Sequence, residues 1–266
     1  MAGDNLLGSP ATGVVVTGGA SGIGRACALA LAAVGRPIAV WDVDDAGAAA
    51  TVAECAKQFN VATYAAHVDV SAPAEILAAV APTVAALGTV GGLVHAAGVV
   101  SPAFDDIVDH DSWDRVLAIN LRAHGQAVAA LLPALRAAGR GSAVVGISSI
   151  EGLIGHGGIP SYVASKHGLI GLTRSLAHRL GGDGIRANAV CPGYVDTPML
   201  APTISTPESR QSFEVKVPLG RLAEGDDIAR VVRFLLSDEA AYVNGAAIVV
   251  DGGVTAVGGQ ELLGGG

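Results

Sequence analysis

Aromatic residues make up only 4% of the 266 residues, and there are only three cysteines. Cys27, Cys55 and Cys191 are odd in number and widely spaced. That pattern offers no disulfide framework and no metal-ligand spacing, and fits small buried hydrophobes in a reducing compartment. Basic residues are also scarce: 16 Lys and Arg stand against 24 Asp and Glu, a net charge of -8. Without clustered Lys and Arg there is little to neutralise phosphates or anionic headgroups, so neither nucleic acid nor a membrane is an expected partner. The first twelve residues lack the basic start and apolar core of a signal peptide, and read as a loose lead-in to a cytoplasmic protein. Ile76–Phe104 carries no Asp, Glu, Lys or Arg, yet Pro82, Gly88, Gly91, Gly92, Gly98 and Pro102 interrupt it. A helix, a turn and a buried strand describe that stretch better than a membrane span. No Gly-Lys-Ser/Thr follows the glycine-rich turn, and no Gly-x-Ser-x-Gly elbow occurs, which excludes a P-loop and argues against serine hydrolysis. The seven histidines share no ligand spacing, so no metal is expected.

What the chain does contain is Ala, Gly and aliphatic side chains, with 51% hydrophobic residues. Short apolar runs alternate with helical patterns: Val14–Thr17, Ile38–Trp41, Ala62–Val68, Leu93–Ala96, Ala143–Ile147, Arg186–Val190 and Ala246–Val250. Such runs, with few charges, suit parallel strands covered on both faces, and the alternation implies a doubly wound α/β sheet. Nothing between residues 13 and 266 reads as a linker, so one domain is expected. Within it, residues 198–218, rich in Pro, Ser and Thr, are expected to form a lid.

The first strand leads into Gly18, Gly19, Ser21, Gly22, Ile23 and Gly24, and a helix begins there. A strand, a glycine-rich turn and a helix N-terminus together make a pyrophosphate site. Asp42 ends the second strand, where a carboxylate accepts hydrogen bonds from an adenosine ribose and repels a 2′-phosphate. With no Arg or Lys between Pro37 and Glu54, the expected cofactor is NAD. Asp44 and Asp45 are better placed to cap the next helix. Tyr162 and Lys166 stand four apart on a helix and share a face. An ammonium near a phenol lowers its pKa and makes it a usable acid or base at a carbonyl oxygen. Thirteen residues upstream, Ser148 and Ser149 end a strand at the carboxyl edge, where open α/β sheets bind ligands.

The glycine turn, Asp42, His95-Ala96-Ala97-Gly98, Asn120, Ser149, Tyr162-x3-Lys166 and Pro192-Gly193 occur in order from about Gly13 to Gly253. Together they resemble the short-chain dehydrogenase/reductase family. The resemblance implies a Rossmann-like sheet of about seven parallel strands with helices on both faces. It implies Tyr162 as acid/base, Ser149 polarising the substrate oxygen, Lys166 binding the nicotinamide ribose and lowering the Tyr162 pKa, and Asn120 holding a relay water. Cofactor contacts are implied at Asp69 and Val70, at Ala97 and Gly98, and at Pro192, Gly193, Val195 and Thr197. Ala96 stands where family members often carry Asn. A homotetramer is implied, built through the helices around Ser112–Ala138 and after Tyr162, with the C-terminal strand at a second interface. The expected pocket is walled by Gly98, Val99, Val100, Ile150, the Glu151–Ile159 loop, Tyr194 and Met199, with Glu151 and His156 as its polar members. The glycines at 155, 157 and 158 leave room for a ring.

The expected activity is NAD-dependent hydride transfer between nicotinamide and a small-molecule secondary alcohol or ketone, cyclic or aryl and apolar. Two other readings stay open. A 3-oxoacyl-(acyl carrier protein) reductase is disfavoured by Asp42 and the acidic balance. A non-catalytic nucleotide-binding regulator is disfavoured by the complete set Asn120, Ser149, Tyr162 and Lys166.

Overall fold

A computed structural model describes residues 6–102 and 110–256. The first five residues of the expected lead-in, and the last ten of the expected domain, lie outside the described residues. Seven parallel strands form one sheet: β1 (Gly13–Thr17), β2 (Ile38–Asp42), β3 (Thr63–His67), β4 (Val90–His95), β5 (Ala143–Ile147), β6 (Arg186–Pro192) and β7 (Ala247–Val250). Their order is β3-β2-β1-β4-β5-β6-β7. The helices are α1 (Gly22–Ala32), α2 (Asp45–Phe59), α3 (Pro73–Leu87), α4 (His110–Leu117), α5 (Ala123–Ala138), α6 (Pro160–Leu180), α7 (Pro207–Glu214) and α8 (Gly225–Leu235).

Successive strand residues point to opposite faces, and both faces are covered. Val14 and Val16 of β1 join Leu31 of α1, Cys55 of α2 and Val232 of α8 in one cluster. Val15, between them, joins Ile76 of α3, Leu131 of α5 and Leu180 of α6 in the other. Trp41 is fully buried, and its indole N–H donates to Thr83 Oγ1 of α3 at 2.9 Å. The core gains closeness from small residues. A Cβ on Gly146 of β5 would lie 2.8 Å from Leu169 Cδ2 of α6, and one on Gly92 of β4 2.8 Å from Val14 Cγ2.

Residues 6–12 correct the expectation of a loose lead-in. Leu6–Gly8 is a 3-10 turn, and the Ser9 hydroxyl donates to Asp238. The expected lid is partly helical: α7 occupies its centre, with Thr206 and Ser209 closing a capping box. The long helix expected over Ser112–Ala138 is interrupted by a π-turn at Ala118–Arg122.

At the amino edge of the sheet two buried arginines tie the ends together. Arg36 donates to Thr12 O at 2.8 Å and to Leu236 O at 2.9 Å, while Arg186 donates to Leu235 O at 2.8 Å and Ser237 O at 3.0 Å. These carbonyls include the last ones of α8, where a cation is favoured by the helix dipole. Burial pushes the Arg36 guanidinium down to about 10, opposed by Asp238 and aided by nearby Arg186. Arg36→Ala should therefore cost about 3 kcal/mol by leaving buried carbonyls unpaired. Calorimetry should show Tm lowered by roughly 6–12 °C. A shift under about 2 °C would show that the clamp contributes little.

Candidate active site

The carboxyl edge of the sheet collects the predicted residues. Gly18 follows β1 with φ of 67°, and a Cβ there would lie 2.6 Å from the Ala97 backbone. A Cβ on Gly24 would lie 2.0 Å from Gly18 O. Only glycine permits this turn, and its close packing leaves the start of α1 open to a phosphate. Ser21 is the N-cap of α1, and its side chain makes no capping bond. The segment after β6 folds over the same turn: a Cβ on Gly22 would lie 3.4 Å from Thr197 Cγ2. Gly193 packs against Asp251, and Val195 is buried and pairs with Ala223.

Asp42 does more than its position implied. Its carboxylate accepts from Ala20 N at 2.9 Å and from Asp44 N at 3.0 Å, tying the glycine turn to the start of α2. Asp44 caps α2 by accepting from Gly47 N at 3.0 Å. Arg25, the nearest cation along α1, is held in an ion pair by Glu54. Asp69 accepts from Ser71 N at 2.8 Å, and hydrogen bonds from Ser71 hold its carboxyl below the usual range. Val70 is buried beside it.

Gly98 marks where the catalytic candidates converge. A Cβ there would lie 3.5 Å from Asn120 Oδ1, 3.6 Å from Lys166 Nζ and 3.9 Å from Met199 Cε. Asn120 is fully buried in the π-turn. Its side chain accepts from Val99 N at 2.8 Å and donates to Val99 O at 2.9 Å and Ser165 Oγ at 3.1 Å. The π-turn also frees a carbonyl. Ala123 N reaches back to Ala118 O instead of Ile119 O, and Ile119 O accepts from His95 Nε2 at 3.0 Å. That bond assigns the proton of this neutral ring to Nε2, so Nδ1 accepts from Thr17 Oγ1 at 2.9 Å. Burial, with nearby His124 and Lys166, holds His95 well below the usual histidine range. Thr17, His95 and Ser165 were not singled out as site residues, and the bonds that draw them into the site join them to partners 78, 24 and 45 residues away.

Ser149, two residues past the end of β5, caps the 3-10 turn Ile150–Gly152, and its Oγ accepts from Glu151 N at 3.1 Å. Burial pushes the Tyr162 phenol up to about 12, with nearby Ser149 lowering it and Glu151 adding to the rise. Lys166 is buried and donates to Ile147 O at 2.8 Å; its Nζ lies 5.3 Å from the centre of the Tyr162 ring. Among the described residues no carboxylate pairs with it, and burial lowers it to about 8, with Cys191 opposing. Lys166 sits at the ring face, bound to the strand, and the phenol's desolvation outweighs what Ser149 supplies.

The pocket residues divide. Met199 is 44% exposed and Val100 36%. Tyr194 packs edge-on against Phe213 of α7 at 4.9 Å. Glu151 is buried, and burial raises its carboxyl pKa. Ile150 is a correction: the 3-10 turn Ile150–Gly152 rotates it into the core, 2% exposed, so it offers no wall to a ligand. His156 is exposed, and its Nδ1 accepts from Gly158 N at 3.2 Å within its own loop.

Residues 18–255 match the family model described as enoyl-(acyl carrier protein) reductase. The chain is 36% identical to 2-(S)-hydroxypropyl-CoM dehydrogenase 3 of Xanthobacter autotrophicus, over 92% of this chain and 96% of the relative. It is 37% identical to a cyclohexanol dehydrogenase of an Acinetobacter species, over 91% and 94%. Among solved structures it is similar to a putative 2-deoxy-D-gluconate 3-dehydrogenase of Agrobacterium tumefaciens with bound NADP. That match has a TM-score of 0.85 and 30% identity and covers 95% of this chain and 100% of the other.

The raised phenol has a direct readout. In the ligand-free protein, the tyrosinate absorbance that distinguishes wild type from Tyr162→Phe should emerge only above pH 11, as expected for a phenol at about 12. A component titrating at or below the ordinary tyrosine value of about 10 would show that Lys166 controls the phenol without help.

Proposed function

The chain belongs to the short-chain dehydrogenase/reductase family, and on that premise we propose that it is an NAD-dependent oxidoreductase interconverting a cyclic or aryl secondary alcohol and its ketone. The observation that carries the reading is the arrangement of Tyr162 beside Lys166, which with Asn120 closes on Gly98, and of Ser149 just past the end of β5. It presents two hydroxyls where one alcohol oxygen can meet both. The residues at the other end fit a dinucleotide. Glycines 18, 22 and 24 form a turn that side chains would fill, and a carboxylate stands at the end of β2. When bound, the nicotinamide supplies the hydride acceptor or donor.

Ser149 holds the substrate oxygen through its hydroxyl. Tyr162, ionised beside Lys166, takes the alcohol proton during oxidation and as the phenol returns one to the ketone oxygen during reduction. Lys166 places positive charge behind the phenol and stabilises its ionised form; its own raised tendency to lose a proton makes that help strongest below about 8. Asn120 fixes the Val99 backbone and Ser165, so the strand-end loop and α6 keep a constant spacing. The relatives carry different substrate names, so membership of the family leaves the choice of substrate to the pocket. The cyclic preference is supported by the loop glycines at 155 and 157, where an added Cβ would meet nothing, and by the cyclohexanol-oxidising relative.

Tyr162→Phe tests the chemistry. Turnover of cyclohexanol should fall by about 10²- to 10⁴-fold, the usual range for losing a general acid/base, while NADH binding measured by fluorescence stays within a few-fold. Near-normal kcat would require another acid/base.

The preference for NAD rests on Asp42, which lies beside Asp44 with no Arg or Lys between Pro37 and Glu54. A kcat/KM ratio of NAD over NADP of about a hundredfold or more is expected, equivalent to about 2.8 kcal/mol. Asp42→Ala should lower the ratio. It should also weaken NAD binding, because Ala20 N loses its acceptor. Equal use of both cofactors by the unmodified protein would overturn the assignment.

A further inference from the structure

Glu151 is a buried acid with no settled partner. The 3-10 turn after β5 carries it inward, its N–H held by Ser149 Oγ, and the residue is only 8% exposed. Its Oε2 is buried and has no hydrogen-bond partner among the described residues. Thr51, His124, Gln126 and Arg233 also hold an unpartnered buried atom, on α2, α5 and α8. Glu151 differs from them in its place: it lies in the turn that Ser149 caps, two residues past that serine, with Tyr162, Tyr194, His156 and His167 near enough for their charges to interact. A buried polar group left unpaired is costly, so one held in the turn beside Ser149 calls for a partner that arrives with the ligand.

The chemistry of that partner is narrow. A ligand carboxylate would be repelled by Glu151, and an ammonium would be repelled by Lys166 on the other side of Tyr162. A hydroxyl both donates and accepts through one atom, so it pairs with the Glu151 carboxyl whether that group is ionised or protonated. Resting on the activity proposed above, we infer that Glu151 sets substrate specificity by receiving a second hydroxyl of the substrate. The first hydroxyl meets Ser149 and Tyr162. The preferred substrates are then neutral cyclic diols, oxidised to hydroxyketones. The carbinol C–H gives its hydride to NAD, the carbinol O–H gives its proton to Tyr162, and the second hydroxyl is left unchanged.

The test compares kcat/KM, with NAD, for cyclohexanol and for the cis and trans isomers of cyclohexane-1,2-, 1,3- and 1,4-diol. At least one diol should exceed cyclohexanol by about tenfold or more, because a site built to bind a hydroxyl discriminates against the analogue that lacks it. Glu151→Leu should bring that ratio to near one. Glu151→Gln, whose amide also donates and accepts, should keep part of it, an outcome a purely structural role would not produce. A ratio near one for every isomer in the wild type, or a ratio unchanged in Glu151→Leu, overturns the inference. If the leucine variant fails to bind NADH, the wild-type ratio decides alone. Cyclohexanol turnover without any diol advantage removes only this inference. Absence of turnover for every alcohol in the panel removes the activity reading itself.

Discussion

Every strand of the sheet runs the same way, so each must return by a crossover, and helices must cover both faces. No face of the sheet is then left for chemistry, and function is confined to its edges. The two edges are dissimilar. The amino edge is closed by Arg36 and Arg186 on the last carbonyls of α8. The carboxyl edge is where β1, β2, β4, β5 and β6 release Thr17, Asp42, His95, Ile147 and Pro192, each at or within two residues of a site residue.

Polar contacts at that edge join parts of the chain that the strands alone would leave independent. Thr17, His95 and Ile119 O form a chain from the glycine turn to the π-turn, and Asn120 continues it to Ser165. Ser165 donates to Tyr162 O at 2.7 Å, and Lys166 donates to Ile147 O. The nucleotide end and the chemical end are thereby built into one hydrogen-bonded frame, with the tyrosine held by its own backbone.

Much of this was legible in the sequence because the signals are local. A glycine turn between strand and helix, an acid at the next strand end, and a tyrosine four residues before a lysine each declare themselves within a few positions. The alternation of apolar runs and helical patterns carried the sheet. What was not legible depends on partners far apart in the chain. Asn120 was singled out, but not that it would clamp Val99 and Ser165. Ile150 follows Ser149 and so looked like a pocket wall, yet a 3-10 turn has tighter geometry than a strand and turns it inward. Glu151 and His156 looked alike as polar loop residues. Only the fold separates them, one buried and unpartnered, the other exposed and engaged with its own loop.

The close packing made by small residues has a consequence for how this chain tolerates change. With 37 glycines and few aromatics, many contacts are between backbone and side chain, and they leave no volume to lose. An added methyl at Gly92, Gly146 or Gly168 would meet a neighbouring side chain at 2.7–2.8 Å. In most cores the damaging substitution is the one that opens a cavity. Here enlargement is a second injury beside the opening of a cavity. Tolerance then differs by site: an inner contact such as Gly146 against Leu169 resists a larger residue, whereas exposed side chains such as Leu77 and Tyr242 leave room for one.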